Sequence, residues 1–518
     1  MNGANVGIDD LVDLLGRWAS GRGPLYLLLA ARFRALVDDG VLPPGTPLPP
    51  DRTLARRLAV GRGTVVAAYD LLQQEGRVTR RQGSGTRVAP LELPASRSAD
   101  SVRANPLLLH ILHPPDGVSL LTCASPDRPP AVLAEAYEEA VGRLAGLRDL
   151  GYQPAGNPEL REAVAAYYRG RGLPTTAEEI LVTTGAQQAL TLLAGLLLAP
   201  GDTVLTQSPT YPGALEVFRH AAAVVRPVAL APSPAFSGSE PAHSLSAAFS
   251  DPGPALSPSA AFSGPGPEPV PDLAAAIRER PSLVYTVPTA SNPTGATLSA
   301  GERRRLARLA EEHDVPIIDD EVCAELCFSG ETPPPVASYA RGEQVITIAS
   351  LSKVVWGGLR VGWVRAPAPL VSRLARLRAV HDLGGEVLGQ VAAAALLRRL
   401  PEIRPARVRE LRDGHDHLCA ELAARLPSWS FERATGGQTI WVRIPRGDVD
   451  AFAQVALRHG VAVPPGRSFD PLGGHAEYMR LHFLFPREEQ SRAVAGLAAA
   501  WDAYDGTRGP AARRPLVV

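Results

Sequence analysis

Two stretches of this 518-residue chain, one made almost throughout of proline, serine, glycine and alanine and one that contains proline, serine and alanine with little periodicity, decide where folded structure can lie. The longer, about 231–271, repeats a short unit: Pro-Ala-Phe-Ser-Gly at 234–238, Ala-Ala-Phe-Ser-Asp at 247–251 and Ala-Ala-Phe-Ser-Gly at 260–264. Such a segment cannot bury enough apolar surface to offset the entropy of ordering it, so it reads as a disordered surface insertion. A docking role for its phenylalanines is the lesser alternative. The other stretch, about 90–117, has little periodicity and reads as a linker. What remains is a small unit at 20–89, a large unit at 118–505 and a tail at 506–518.

In the large unit, short apolar runs alternate with amphipathic helical segments. Val204-Leu205-Thr206, Leu283-Val284-Tyr285, Pro316-Ile317-Ile318 and Val345 to Ala349 read as strands, with helices such as Gly301 to His313 between them. That alternation predicts an α/β fold with a mainly parallel sheet and flanking helices. After about Leu370 the pattern is largely helical, then gives strands near 438–444 and 478–484, which suits a small carboxy-terminal α+β subdomain. Hydrophobic residues make up 45% of the chain, enough for a sizeable core. The apolar runs at 107–112 and 189–199 are shorter than a membrane span requires. The first residues lack the basic and apolar regions of a signal peptide. A soluble, cytoplasmic protein is the expectation.

The net charge is zero, so a nucleic-acid signal has to be local. Four cysteines, at 123, 323, 327 and 419, are too few and too scattered for a disulfide framework or a zinc site, and no metal is expected.

Of the 53 Lys+Arg residues one is lysine, Lys353. Arginine stays protonated in proteins, whereas lysine can lose its proton and attack a carbonyl to form a Schiff base. Lys353 follows the apolar run 345–349, in the turn after a strand. Ser350, Ser352 and Arg360 surround it in sequence and can together hold a phosphate dianion. An amine beside a phosphate site points to pyridoxal 5'-phosphate. The turn Thr183-Thr184-Gly185-Ala186-Gln187, between a strand and a helix, offers free N–H groups as a further anion site.

Residues 23–88 have another character. A helix over 24–37, a turn-rich connection, a short helix from Asp51 to Leu58, a longer one to about Glu75 and two short strands about a Gly-Ser-Gly tip give a winged helix-turn-helix. Between Arg52 and Arg87 eight arginines stand against two carboxylates, Asp70 and Glu75. Arginines at the helix starts and on the wing, Arg80 among them, suit phosphate and guanine contacts on double-stranded DNA.

Two resemblances follow from these residues. The stretch Leu42-x-Pro-Gly-Thr-x-Leu-Pro-x-Asp-Arg-x-Leu-Ala, with Gly-Arg-Gly-Thr-Val and Gly-Ser-Gly-Thr after it, resembles the DNA-binding domain of GntR-type regulators. That match implies DNA contacts from Arg52, Arg62 and Thr64 and a wing shaped by Gly83 and Gly85. The family commonly has serine at the place of Gly61 and often arginine at that of Val66. Ser-x-Ser-Lys with arginine seven residues on resembles the lysine segment of class I/II aminotransferases of the fold type I class. The match implies that Gly185, Ala186 and Gln187 hold the cofactor phosphate and that Tyr211 stacks on its ring. It implies that Asn292 bonds the phenolic oxygen and that Asp320, or by one residue Asp319, holds the pyridine nitrogen. It further implies that Arg480 clamps an amino-acid carboxylate and that Tyr152 reaches the phosphate of a second subunit, which requires a homodimer. Cys323 stands where such enzymes carry tyrosine, and thiol is a weak donor for that role.

The composite resembles MocR-type transcriptional regulators. It implies a regulator that senses pyridoxal 5'-phosphate, an amino acid or an amine and acts on a DNA operator. A working aminotransferase with a DNA-binding appendage, and a regulator whose large domain only dimerises, are the alternatives.

Overall fold

The computed structural model describes residues 8–16, 18–20, 25–38, 41–43, 45–74, 77–81, 85–89, 117–122, 124, 128–144, 146, 148, 150–230 and 270–504. The linker and most of the insertion expected from the sequence therefore lie outside the described residues, as does the tail. The chain divides into two compact units, 1–103 and 104–518.

The first unit is built on helices Leu25–Asp38, Asp51–Arg57 and Arg62–Gln74 and on three short strands. These are Pro47–Leu48 (β1), Val78–Arg81 (β2) and Gly85–Val88 (β3), ordered β1-β3-β2 and antiparallel. Leu29, Phe33, Leu54, Val65, Tyr69 and Leu72 face one another in its core. The core reaches further towards the amino terminus than position 20. Helix Ile8–Leu15 seats Leu11 and Leu15 in it, and Arg32 donates to the carbonyls of Leu14 and Leu15 at the end of that helix. Eight residues are too few for helical periodicity to stand out in the sequence. β1 was likewise hidden in the proline-rich connection 42–49.

In the second unit, Ser119–Leu120 (β4) pairs with a strand far along the chain. Ile180–Thr183 (β5), Thr203–Gln207 (β6), Val224–Val228 (β7), Leu283–Thr286 (β8), Ile317–Asp320 (β9), Val345–Ser350 (β10) and Gly362–Arg365 (β11) form one sheet ordered β5-β11-β10-β9-β8-β6-β7. β10, β9, β8, β6 and β7 run parallel, and β11 is antiparallel to both its neighbours. β5, β8, β9 and β10 are buried along their whole length, as expected of strands covered on both faces. Two apolar clusters pack on this sheet.

The carboxy-terminal part carries helix Leu400–Arg425 and strands Ser430–Phe431 (β12), Thr439–Arg443 (β13), Val461–Ala462 (β14) and Tyr478–His482 (β15). β12, β13 and β15 form an antiparallel sheet, while β14 pairs in parallel with β4. This last pairing ties the first residues of the large unit to its final subdomain. No described helix is long and apolar enough to cross a membrane.

Candidate functional site

The carboxyl ends of the parallel strands meet at a cavity of about 160 Å³. Its lining includes Gly185, Ala186, Gln187, Tyr211, Asn292, Asp320, Ser350, Ser352, Lys353 and Arg360, together with Cys323, Val287 and Val322. Crevices at strand ends are where open α/β sheets place ligands. The sequence positions span 185 to 360, so the sheet, not the local chain, assembles them.

The floor of the cavity is a helix start. Helix Ala186–Leu197 is preceded by Gly185, which has φ +126 and leaves the first turn without a side-chain cap. Its leading N–H groups are thus available to an anion. A Cβ on Gly185 would stand 3.1 Å from Nη2 of Arg360, which places the guanidinium over the same helix end. Gly362 is tighter still: a Cβ there would stand 2.8 Å from the Cα of Gly185 and from the carbonyl of Ala349. Arg360 itself is held in the left-handed region at φ +53, a strained setting for a side-chain residue. Beside it the Ser350 and Ser352 hydroxyls lie 2.8 Å apart, and the Ser352 N–H donates to Ser350 Oγ at 3.1 Å. Helix N–H groups, two hydroxyls and one guanidinium make a dianion cradle.

The opposite wall holds a carboxylate in an unusual setting. Asp320, the last residue of β9, is buried, with Oδ2 accepting from the Tyr285 hydroxyl at 2.7 Å and Oδ1 from the Val322 N–H at 3.0 Å. Burial pushes its carboxyl up to about 6 against the Tyr285 and Val322 hydrogen bonds. Among the described residues no lysine or arginine lies within ion-pair distance of it. Asp319 points to the other face of the strand, where its Oδ2 accepts from the Val336 N–H at 2.8 Å. Alternation along β9 therefore turns Asp320, and not Asp319, to the cavity.

Lys353 sits in the turn after β10 and donates from Nζ to the carbonyl of Ala124 at 2.5 Å. Cys323 borders the same space, and burial pushes its thiol up to about 12, so it stays neutral. Tyr211 donates to Gln187 Oε1 at 3.1 Å, and Gln187 Nε2 donates to the Gly213 carbonyl at 3.0 Å, which fixes the aromatic ring against the helix start. Arg480 is 3% exposed; its Nη1 donates to Asn292 Oδ1 at 3.3 Å and its Nη2 to the Thr122 carbonyl. Two residues on along β15, His482 accepts at Nδ1 from the Leu484 N–H, which leaves Nε2 to donate to the Leu120 carbonyl at 3.0 Å. Burial lowers this histidine to about 4, so it is neutral at ordinary pH.

Tyr152 is not brought into the cavity. It is 68% exposed on the surface of the large unit. Tyr285, the Thr122 and Ala124 carbonyls and His482 were missed in the sequence. A tyrosine inside a strand is an ordinary core residue by pattern, and backbone carbonyls carry no residue-type signal.

In the first unit, Arg52 and Arg62 are exposed near the starts of consecutive helices, with Thr64 half-buried beside them. Arg62 Nε donates to Asp51 Oδ2 at 2.8 Å, and this hydrogen bond holds the Asp51 carboxyl below its usual value. Arg57 Nε is held in the same way by Asp9 at 2.7 Å. Gly85 opens β3 at φ +78 with nothing near its missing side chain, so backbone conformation is what requires glycine there. Arg80 lies in β2, its side chain outside the described residues, and Gly83 lies outside them altogether.

Residues 120–241 and 269–497 match the family described as aminotransferase class I and II. The chain belongs to that family. Residues 25–88 match the gntR family of bacterial regulatory proteins, so a GntR helix-turn-helix precedes the aminotransferase fold in one chain. The uncharacterized HTH-type transcriptional regulator YisV of Bacillus subtilis is 29% identical over 91% of this chain and 95% of its own length. The arginine–pyruvate transaminase AruH of Pseudomonas aeruginosa is 32% identical over 74% of this chain and 90% of its own. Among solved structures, the α-aminoadipate aminotransferase LysN of Thermus thermophilus superposes with a TM-score of 0.63 at 26% identity, covering 77% of this chain and 94% of LysN. LysN was solved with N-(5'-phosphopyridoxyl)-L-leucine.

Proposed function

We propose that this protein is a DNA-binding transcriptional regulator whose aminotransferase-like unit binds pyridoxal 5'-phosphate and senses it, alone or with an amino compound. The observation that carries the reading is the coexistence in one chain of a GntR helix-turn-helix and a cavity that gathers the sole lysine, a dianion cradle and a buried carboxylate. The residues fit the cofactor on physical grounds. A buried carboxylate with no ion-pair partner among the described residues is costly, and a protonated pyridine nitrogen is a partner that would lower that cost. The uncapped helix start with Arg360, Ser350 and Ser352 suits the phosphate in the same way.

When bound, pyridoxal phosphate supplies an electron-withdrawing ring and an aldehyde for an amine. This chain's own residues do the rest. Gly185, Ala186 and Gln187 would orient the phosphate with Ser350, Ser352 and Arg360. Tyr211 would cover the ring, Asn292 would hold the phenolic oxygen, and Asp320 would keep the proton on the ring nitrogen. Lys353 would tether the aldehyde carbon. Arg480 would take a carboxylate in a bidentate grip. A neutral thiol at Cys323 offers only a weak hydrogen bond where catalysts of this family have a phenol, which favours holding the cofactor over turning it over.

We further propose that two copies act together, with exposed Tyr152 reaching the partner's phosphate site, and that Arg52, Arg62, Thr64 and Arg80 meet operator DNA, the wing being shaped by Gly83 and Gly85. A regulator of this kind works in the cytoplasm. Likeness to AruH keeps a working aminotransferase as the second reading. The two are separated by assaying amino-acid donors with 2-oxo-acid acceptors. The regulator reading expects a yellow protein with negligible turnover; turnover at about 1–10³ s⁻¹, typical of enzymes, with DNA binding indifferent to the cofactor, would overturn it.

A further inference from the structure

The turn that follows β9 is gripped from the side of the sheet that the cavity does not occupy. Glu321 continues the alternation of β9, so its side chain leaves on the same side as that of Asp319, while its N–H donates to the Ile348 carbonyl at 2.8 Å. There it meets Arg171, the residue that ends helix Pro158–Gly170. The contact is two-pronged, Nη1 to Oε2 at 2.9 Å and Nη2 to Oε1 at 2.7 Å, and the two side chains are 10% and 1% exposed. Arg171 Nη1 also donates to the Tyr167 hydroxyl at 2.8 Å, and that hydroxyl donates to Glu325. One guanidinium thus holds both ends of the segment 321–325, Glu321 directly and Glu325 through a phenol. Between those ends Val322 and Cys323 line the cavity, and the Val322 N–H is the donor to Asp320 Oδ1. Arg171 itself is not part of the cavity lining.

We propose that Arg171 is a positioning residue for the cofactor site, acting through Glu321 and Tyr167 to hold Asp320 and Cys323 at the cavity wall. What it implies for the cofactor rests on the reading of the cavity as a pyridoxal phosphate site. Charge argues in the same direction as geometry. Asp319, Asp320 and Glu321 are three successive buried carboxyls, and the charge of Glu321 pushes both aspartates up. A cation set against Glu321 neutralises it where it stands. A fork does more than a point charge, because two parallel bonds fix the direction of the carboxylate as well as its charge. With Glu321 fixed, the backbone turn that presents the Val322 N–H to Asp320 is fixed too. Losing the clamp changes the aim of Asp320 without removing any group from the cavity.

Removing Arg171 alone would leave Glu321 buried and unpaired, so the clamp is tested by the double replacement Arg171→Met with Glu321→Met. Apolar side chains in place of a buried ion pair are generally tolerated. Arg171→Lys keeps the charge without the fork. Two readouts are taken on the full chain. Without cofactor, hydrogen–deuterium exchange at the peptide covering 320–325 is expected to be about tenfold faster in the double variant and less affected by lysine, with helix Arg487–Ala503 unchanged. With pyridoxal 5'-phosphate titrated by its absorption, the double variant is expected to bind about tenfold more weakly than wild type. The same double replacement made in Asp320→Asn is expected to alter affinity less than about twofold, because the clamp acts through that aspartate. A general loss of stability would instead cost affinity equally in both backgrounds. Equal losses, or exchange at 320–325 that stays at the wild-type rate in the double variant, overturn the proposal. A wild type that takes up no cofactor overturns the proposed function, and the exchange rates then decide the clamp by themselves.

Discussion

The amino-terminal unit and the cavity at the strand ends hold their charges in opposite ways. In the first, Arg62 pairs with Asp51 while 56% of the arginine side chain stays in solvent, and Arg57 is equally open, with its partner Asp9 more open than Asp51. Exposed pairs of this kind are worth about 0–1 kcal/mol, so a phosphate can replace either acid at little cost. In the cavity, Asp320 is buried, has no ion-pair partner among the described residues and is pushed up to about 6. That arrangement is costly, and a cation placed directly against the carboxylate would lower the cost. On the proposed reading, one region carries exchangeable charge for a polyanion and the other is preset for one ligand.

The strongest test of the preset side is Lys353→Arg. Arginine keeps a positive charge and cannot condense with an aldehyde, so the yellow absorption on adding pyridoxal phosphate should vanish completely. A coloured variant would mean that the lysine is not the tether. Next comes Asp320→Asn, expected to weaken cofactor binding about 10²- to 10³-fold, the scale of losing one partner of a buried ion pair; titration of the absorption measures it.

The same substitution has a pH signature in the cofactor-free protein. Because the folded carboxyl of Asp320 lies above its ordinary 3.8, the native state binds the proton more tightly than the unfolded chain, and stability falls as pH rises from about 4 to about 6. About 3 kcal/mol is at stake for a shift of this size. His482, lowered to about 4, works the other way: its neutral form is favoured by folding, so its contribution is present above pH 6.5 and lost as pH falls towards 4. The difference between wild type and Asp320→Asn in urea unfolding isolates the aspartate. A difference independent of pH between 4 and 6 would refute the assignment.

Effects on the exchangeable side should be smaller. Arg62→Ala is expected to lower operator affinity about 10- to 100-fold in a gel shift, as for one lost base contact. Asp51→Ala should move it only a few-fold, because the acid merely positions an exposed arginine. A larger effect from Asp51 than from Arg62 would reverse the comparison.

The two regions also differed in what their sequences disclosed. The basic helices and wing could be read locally, since their signals are turn residues and arginines a few positions apart. Helix Ile8–Leu15 escaped, because its role depends on Leu11 and Leu15 meeting a core made by later residues. In the cavity, Lys353 and its serines stood out by composition and spacing, whereas Asp320 and Asp319 were separable only once β9 showed which side faces the strand ends. Tyr285 was invisible as a hydrogen-bond donor to Asp320 for the same reason: the contact crosses between strands. Antiparallel β11 also went unread, yet its Gly362 is what lets Gly185 and Arg360 approach the helix start.

On the proposed reading, the cofactor site controls the DNA-binding unit through Lys353. Operator binding by the full chain, titrated with and without pyridoxal 5'-phosphate in wild type and Lys353→Arg, tests it most directly. The cofactor is expected to shift wild-type affinity about 5- to 150-fold, the usual range of coupling between sites, and to leave the variant unmoved. Equal affinity of the wild type in both conditions, or the same shift in the variant, would contradict it.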